Sequence, residues 1–197
     1  MMLTTNFNLL KQANACTGRY RHLARALGGI RAYGREAPIT LLQVLDANGL
    51  DDALWALRAV PREQEAVRDR FARLLACDYA EHILPIAWDP LYPTDRRPWT
   101  ACAVARRYAC GGATTAELAA AARGAWEARA AAAWAAARAA ARAAASAAWA
   151  SAGASASAWA AAAARAAARA ASAGAASAEH RAMCDIIRRE IKAMQSQ

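Results

Sequence analysis

An all-α fold is predicted for this chain: an antiparallel helical bundle with a helical-repeat-like core and long alanine-rich helices laid against it. Three observations predict it. Residues 114–178 are written almost entirely in Ala, Arg, Trp, Ser and Gly, and alanine is the strongest intrinsic helix former because it loses no side-chain entropy. Before that region, apolar residues such as Val67, Phe71, Leu74 and Leu75 recur at helical spacing. Between such segments fall the helix breakers Gly28-Gly29, Asn48-Gly49, Pro61 and Pro85.

The elements follow in order. Residues 1–18 read as a loose or docking arm. A helix is expected over residues 18–32, with Tyr20, Leu23, Ala24 and Leu27 on one face and Gly28-Gly29 weakening its end. The next begins near Pro38, carries Leu41, Leu42, Val44 and Leu45, and stops at Asn48-Gly49 as a left-handed cap. Asp51 is a candidate N-cap for a helix bearing Leu54, Trp55, Leu57 and Val60. Pro61 ends that helix and starts a longer one, which runs through Tyr79 to Leu84 and is closed by Pro85. A loop spans residues 86–97, and Pro98 suits the first turn of a helix through Trp99, Cys102, Val104 and Tyr108 to Gly111-Gly112.

Thr114-Thr115-Ala116-Glu117 is a capping-box pattern. It opens an alanine-rich helix expected to run to Ala150, about 50 Å at about 1.5 Å per residue. Gly124 is a candidate kink, and residues 151–155 a candidate break before a second such helix, residues 157–173. The last helix, residues 177–194, carries Met183, Ile186, Ile187 and Ile191 on its apolar face. A methyl group buries little apolar surface, so bulky aliphatics before residue 110 and after residue 182 are expected to supply the best-packed core. Residues 1–112 form the helical core with its arm, and residues 113–197 an alanine-rich hairpin plus a last helix, as one continuous fold. Trp126, Trp134, Trp149 and Trp159 oppose a disordered reading of the low-complexity stretch.

The chain has 197 residues and a formal net charge of +9. Such a surface favours anionic partners, and it also keeps alanine-rich helices soluble. The five cysteines, Cys16, Cys77, Cys102, Cys110 and Cys184, include no C-x-x-C pair. They read as buried apolar thiols in a reducing compartment. The first fifteen residues lack the apolar run of a secretion signal. Arg129, Arg138 and Arg142 interrupt the alanine run as a membrane span. A cytoplasmic location without a membrane partner is expected.

Trp134, Arg138, Arg142 and Trp149 fall within one helical stripe roughly 80° wide. Indole and guanidinium alternating on one face can stack a base and clamp a phosphate. The same stripe equally suits packing, with Trp filling the gaps alanine leaves and Arg lying across it. Arg165 and Arg169 are a similar one-turn pair on the next helix, so four arginines can converge on one anion if the helices pair. Asp78 and His82 are four apart, either an acid–base pair, half a metal site or a helix-end ion pair. Asp95-Arg96-Arg97 either fixes its loop by ion pairing or presents two arginines to an anion. No phosphate loop, G-x-S-x-G or H-E-x-x-H is present, so no catalytic residues, metal or cofactor are assigned.

Residues 48–59, Asn48-Gly49-Leu50-Asp51-Asp52-Ala53-Leu54-Trp55-Ala56-Leu57-Arg58-Ala59, resemble the "NGLDDALW-x-LRA" stretch of the alanine-rich immunity-protein family of phage and bacterial conflict systems. Residues 76–85, with Cys77, Asp78, Glu81 and Leu84-Pro85, resemble that family's "DCAE-x-x-LPI" segment. Asp95-Arg96-Arg97-Pro98 resembles its "DDRP" turn, with Arg96 replacing the second Asp. The resemblance spans residues 40–180 and implies a helical, non-enzymatic protein of a toxin-conflict setting. Inhibitors of nuclease toxins tend to be acidic, so the basic charge here fits better with capture of an anionic small molecule or an acidic protein. The expected function is sequestration of an anionic, nucleotide-like immune signal by Trp134, Arg138, Arg142, Trp149, Arg165 and Arg169. Binding of a protein toxin or defence effector is the alternative. Nucleic acid ranks behind both, because Lys is nearly absent and no reading module is recognisable. Close alanine faces favour a homo-oligomer.

Overall fold

The structure is a computed structural model and describes residues 2–132, 141–142, 144–145 and 176–195. Its elements are β1 (Thr4–Thr5), α1 (Phe7–Gln12), α2 (Thr17–Ala26), α3 (Ile30–Tyr33), β2 (Ile39–Thr40), α4 (Leu41–Asn48), α5 (Leu50–Ala56), α6 (Glu65–Ala87), α7 (Arg97–Ala109), α8 (Thr115–Ala131) and α9 (Ala176–Gln195). Two 3-10 turns, Leu57–Ala59 and Arg62–Gln64, join α5 to α6. The fold is all-α, with one two-stranded antiparallel ribbon among the described residues. No helix among them is long and apolar enough to cross a membrane.

The helix directions follow from the contacts. Between α6 and α7, Arg73 lies over Tyr108 and Asp78 meets Arg106, so numbers rise on one helix as they fall on the other. Arg107 pairs with Glu117, and Arg97 reaches Glu127, so α7 and α8 are also antiparallel. Tyr79 donates to the Met183 carbonyl, while Val67 and Phe71 line one groove with Met194, which lays α9 antiparallel along α6. The consecutive helices α6, α7 and α8 thus alternate in direction, and α9 returns along α6. Buried residues of both halves, from Leu3 through Leu75 and Leu118 to Ile191, join one core cluster.

Several boundaries differ from expectation. Of the two alternatives for the arm, the docked one is seen: Thr4 and Thr5 pair with Thr40 and Ile39, Thr5 Oγ1 donates to the Ala59 carbonyl at 2.6 Å, and Leu3, Phe7 and Leu10 are buried. The helix expected over residues 18–32 stops at Ala26, because Gly28 and Gly29 take φ of +81° and +94° and turn the chain into α3. Gly49 stops α4 as expected, but with φ +86° and ψ −177°, an extended rather than left-handed helical geometry. Gly49 also serves as the N-cap of α5. Asp51 and Asp52 therefore lie inside the first turn instead of capping it, where their charge still favours the helix dipole.

Pro85 does not close α6, which continues to Ala87. A proline removes one N–H, and here a buried anchor three residues past Pro85 outweighs that loss. Trp88 is 1% exposed, its N–H donates to the Leu84 carbonyl at 2.9 Å, and its Nε1 donates to the Asp95 carbonyl at 2.7 Å. The alanine-rich helix does not run unbroken to Ala150 either. It ends at Ala131, and Ala132 has ψ 128°. Alanine runs carry no stop signal, and the small propensity gain per residue yields to packing, here of buried Ala132. Gly124 sits inside α8 against the Arg97 side chain and does not end the helix.

Other local signals held. Pro98 lies in the first turn of α7. Thr114 accepts from Glu117 N at 3.2 Å and gives its own N–H to Glu117 Oε2 at 2.7 Å, closing the capping box. Those donors at the helix start hold the Glu117 carboxyl below its ordinary value. Replacing Thr114 by Ala should cost about 1 kcal/mol, read as a lowered midpoint in urea; an unchanged midpoint would count against the cap. Met183, Ile186, Ile187 and Ile191 are all buried under α9.

Candidate functional site

Of the six residues expected to form the ligand site, Trp134, Arg138, Trp149, Arg165 and Arg169 lie outside the described residues. Arg142 is described: it is helical and exposed. The arrangement of the six relative to one another lies outside the described residues. What the structure does bring together is a cleft of about 420 Å³ between α2, α4 and α5.

The cleft is organised by Asn48, the last residue of α4 and one of few buried polar side chains. Its Nδ2 donates to the Arg19 carbonyl at 3.0 Å and to Asp52 Oδ2 at 2.6 Å. Both partners are acceptors only, which fixes the amide's orientation. The Asn48 Oδ1 then faces His22 Nδ1 at 2.8 Å, so that ring nitrogen carries the proton. Arg19 Nε donates to Asp52 Oδ2 at 2.8 Å, and its NH2 group donates to the Asn48 carbonyl. The guanidinium is thereby locked in place before any ligand arrives, which lowers the ordering cost of binding.

Two aromatic side chains, Tyr20 and Trp55, are half-buried in the cleft wall. Phe7 meets the Tyr20 ring edge-on at 5.4 Å and fixes it. Arg58 stands exposed at the rim and forms no ion pair among the described residues. Cys16 caps α2 and is exposed, and the backbone N–H groups of Arg19 and Gly18 hold its thiol below the ordinary cysteine value. Cys110 is exposed as well, so the expectation of uniformly buried thiols fails for these two. It holds for Cys77 and Cys102, where burial raises the thiol pKa, to about 12 for Cys77. Two rings and the Arg58 guanidinium, with Asp51 and the Arg19–Asp52 pair also in the lining, make a cleft that can hold a flat molecule with its anionic group at Arg58.

A second polar cluster lies where α6, α7 and α9 meet. Asp78, 9% exposed, accepts from Arg106 at 2.6 Å and from Arg189 at 3.4 Å. Glu81 accepts from the same Arg106 at 2.8 Å. Three carboxyls, counting half-buried Glu190, face two guanidinium groups. Burial first, and then the Asp78 charge, push the Glu190 carboxyl up to about 7. Asp78 thus has ion partners on two other helices, Arg106 of α7 and Arg189 of α9. At Asp95-Arg96-Arg97 the ion-pairing alternative is realised: Arg97 pairs with Asp95 at 2.6 Å, and Arg96 with Asp89 at 3.5 Å.

Sequence reasoning missed Arg19, Tyr20, Asn48, Trp55 and Arg58 as a group. Asn48 and Trp55 belong to the twelve-residue motif noted above. Arg19 meets that motif only through the fold, from 29 residues away. No family model, curated protein or solved structure matches this chain.

Proposed function

We propose that this protein is a non-enzymatic binding protein for a small anionic ligand with a planar ring, nucleotide-like in its chemistry, held in the cleft between α2, α4 and α5. The observation that carries this reading is the preset arrangement around Asn48: an immobilised Arg19 beside the Tyr20 and Trp55 rings, with Arg58 unpaired at the rim. Trp55 and Tyr20 stack the ring, and Arg58 takes the phosphate or carboxylate. Asp52 is satisfied by Arg19 and Asn48, while exposed Asp51 also lines the cleft, so the anionic group belongs at Arg58. The resemblance to conflict-system proteins suggests the setting, sequestration of an immune nucleotide signal.

Native mass spectrometry tests this. The protein, mixed with a panel of cyclic and ADP-ribose-type nucleotides, should retain a discrete added mass that denaturation releases. Replacing Trp55 by Ala should weaken that binding about tenfold, since base–aromatic stacking contributes about 1–3 kcal/mol. Arg58→Ala should weaken it too, with helicity intact. An apo mass across the whole panel would overturn the reading and make a protein toxin or effector the better candidate.

A further inference from the structure

The α5 wall of the cleft has a direction. Asp51, Trp55 and Arg58 all line it. They are four and then three residues apart, the spacing that sets side chains one above another on a single helical face. Asp51 stands in the first turn of α5 and Arg58 in the 3-10 turn that follows, so the indole lies between a carboxylate and a guanidinium. At about 1.5 Å per residue in α5 and about 2.0 Å in the 3-10 turn, each step along this row spans about 6 Å. The neighbouring Asp52 is engaged by Arg19 and Asn48. Asp51 is exposed and forms no ion pair among the described residues.

The order of these three groups constrains what the cleft accepts. In a nucleotide the sugar joins the ring to the phosphate. With the ring on Trp55 and the phosphate at Arg58, the sugar falls between those two residues. The group that reaches Asp51 is then the edge of the base remote from the sugar.

An ionised carboxylate accepts through two oxygens and donates nothing, so its best partner is a pair of adjacent donors. Guanine presents such a pair, its N1–H beside its 2-amino group. Adenine and cytosine each set one amino group beside a ring nitrogen that accepts, and hypoxanthine sets its N–H beside a carbonyl oxygen. Those acceptors meet the carboxylate acceptor against acceptor. We propose, building on the cleft reading above, that Asp51 is the specificity-determining residue of the cleft and that it selects guanine nucleotides.

Isothermal titration calorimetry of the full chain with cyclic GMP, cyclic IMP and cyclic AMP tests this. Cyclic GMP and cyclic IMP differ only by the 2-amino group, and cyclic GMP should bind about tenfold tighter, the low end for a two-point contact to a base because Asp51 is exposed. Asp51→Asn keeps the size of the side chain but offers one donor and one acceptor, which suits adenine. The variant should bind cyclic GMP about tenfold more weakly and cyclic AMP at least as tightly as the parent. A purely structural role for Asp51 would move all three affinities together. Arg58→Ala should weaken all three alike, which separates phosphate capture from base choice. Equal affinities of the parent for cyclic GMP and cyclic IMP, or a guanine preference that survives D51N, would overturn the role of Asp51 and leave the cleft reading in place. Failure of all three to bind would overturn it as well, and an apo mass across the wider panel would take the cleft reading with it.

Discussion

Trp88→Ala is expected to destabilise the protein by about 3–5 kcal/mol, the usual range for deleting a buried tryptophan. Trp88 is 1% exposed, its ring centroid lies 4.7 Å from that of Tyr92, and its Nε1 satisfies the Asp95 carbonyl. Its loss opens a cavity at the end of α6 and strands that carbonyl. It also removes the anchor that carries α6 past Pro85. Urea denaturation reads the effect as a lower midpoint at similar slope. Trp126 is the internal comparison: it is 48% exposed, with Arg129 stacked over it at 4.4 Å. Trp126→Ala should shift stability by about 0.5 kcal/mol or less. Equal effects at the two positions would mean that α6 is not held from Trp88.

The second large effect is a dependence on pH carried by Glu190. The carboxyl titrates near 7 when folded, against an ordinary value near 4.5. A raised folded-state value means that the folded protein holds the extra proton. The stabilisation is complete below the unfolded value and is lost as pH rises through about 7. The groups facing Glu190 are Asp78 from α6, with Glu81 one turn on, Arg106 from α7, and Arg189 beside it on α9. Full linkage would amount to about 3 kcal/mol, which screening of this half-buried group reduces to about 2 kcal/mol. Glu190→Gln mimics the protonated form and removes the ionisation. Its stability should therefore match that of the parent at about pH 4 and exceed it by about 2 kcal/mol at about pH 8. Parallel stability profiles for the two proteins would contradict this account of the cluster.

Local chemistry was the legible part of the sequence. The Thr114–Glu117 box, Pro98 in the first turn of α7, the stop at Gly49 and the apolar face of α9 each depend on residues within a few positions of one another. Non-local pairing was not legible. Nothing in Thr4-Thr5 announces Ile39-Thr40 as its partner, and β1 is too short to show alternation. The same holds for the site. Asn48 read as a cap because its neighbour is Gly49, while its side-chain partners, Arg19 and His22, arrive from α2. Spacing along α6 brings His82 to mind for Asp78, but only the fold brings in Arg106 and Arg189 from α7 and α9. Pro85 misled for a related reason, since the anchoring of Trp88 depends on a carbonyl beyond the helix. In the alanine-rich stretch, every position offers the helix the same small gain, and the end at Ala131 has no local mark.

The placement of β1 and α9 also governs the order in which this molecule can assemble. Thr5 closes onto Ala59 across 54 residues, Arg189 onto Asp78 across 111, and Arg188 onto Asp46 across 142. Individual helices form in about a microsecond, but closures of this span carry a chain-entropy cost that local contacts do not. The folding rate should accordingly follow long-range closure rather than helix formation, slower than for bundles whose contacts are mostly sequential. During synthesis, α6 emerges with part of its apolar surface uncovered and stays so until α9 has been made. Through that interval the growing chain is the kind of species that chaperones hold and that aggregates when they do not.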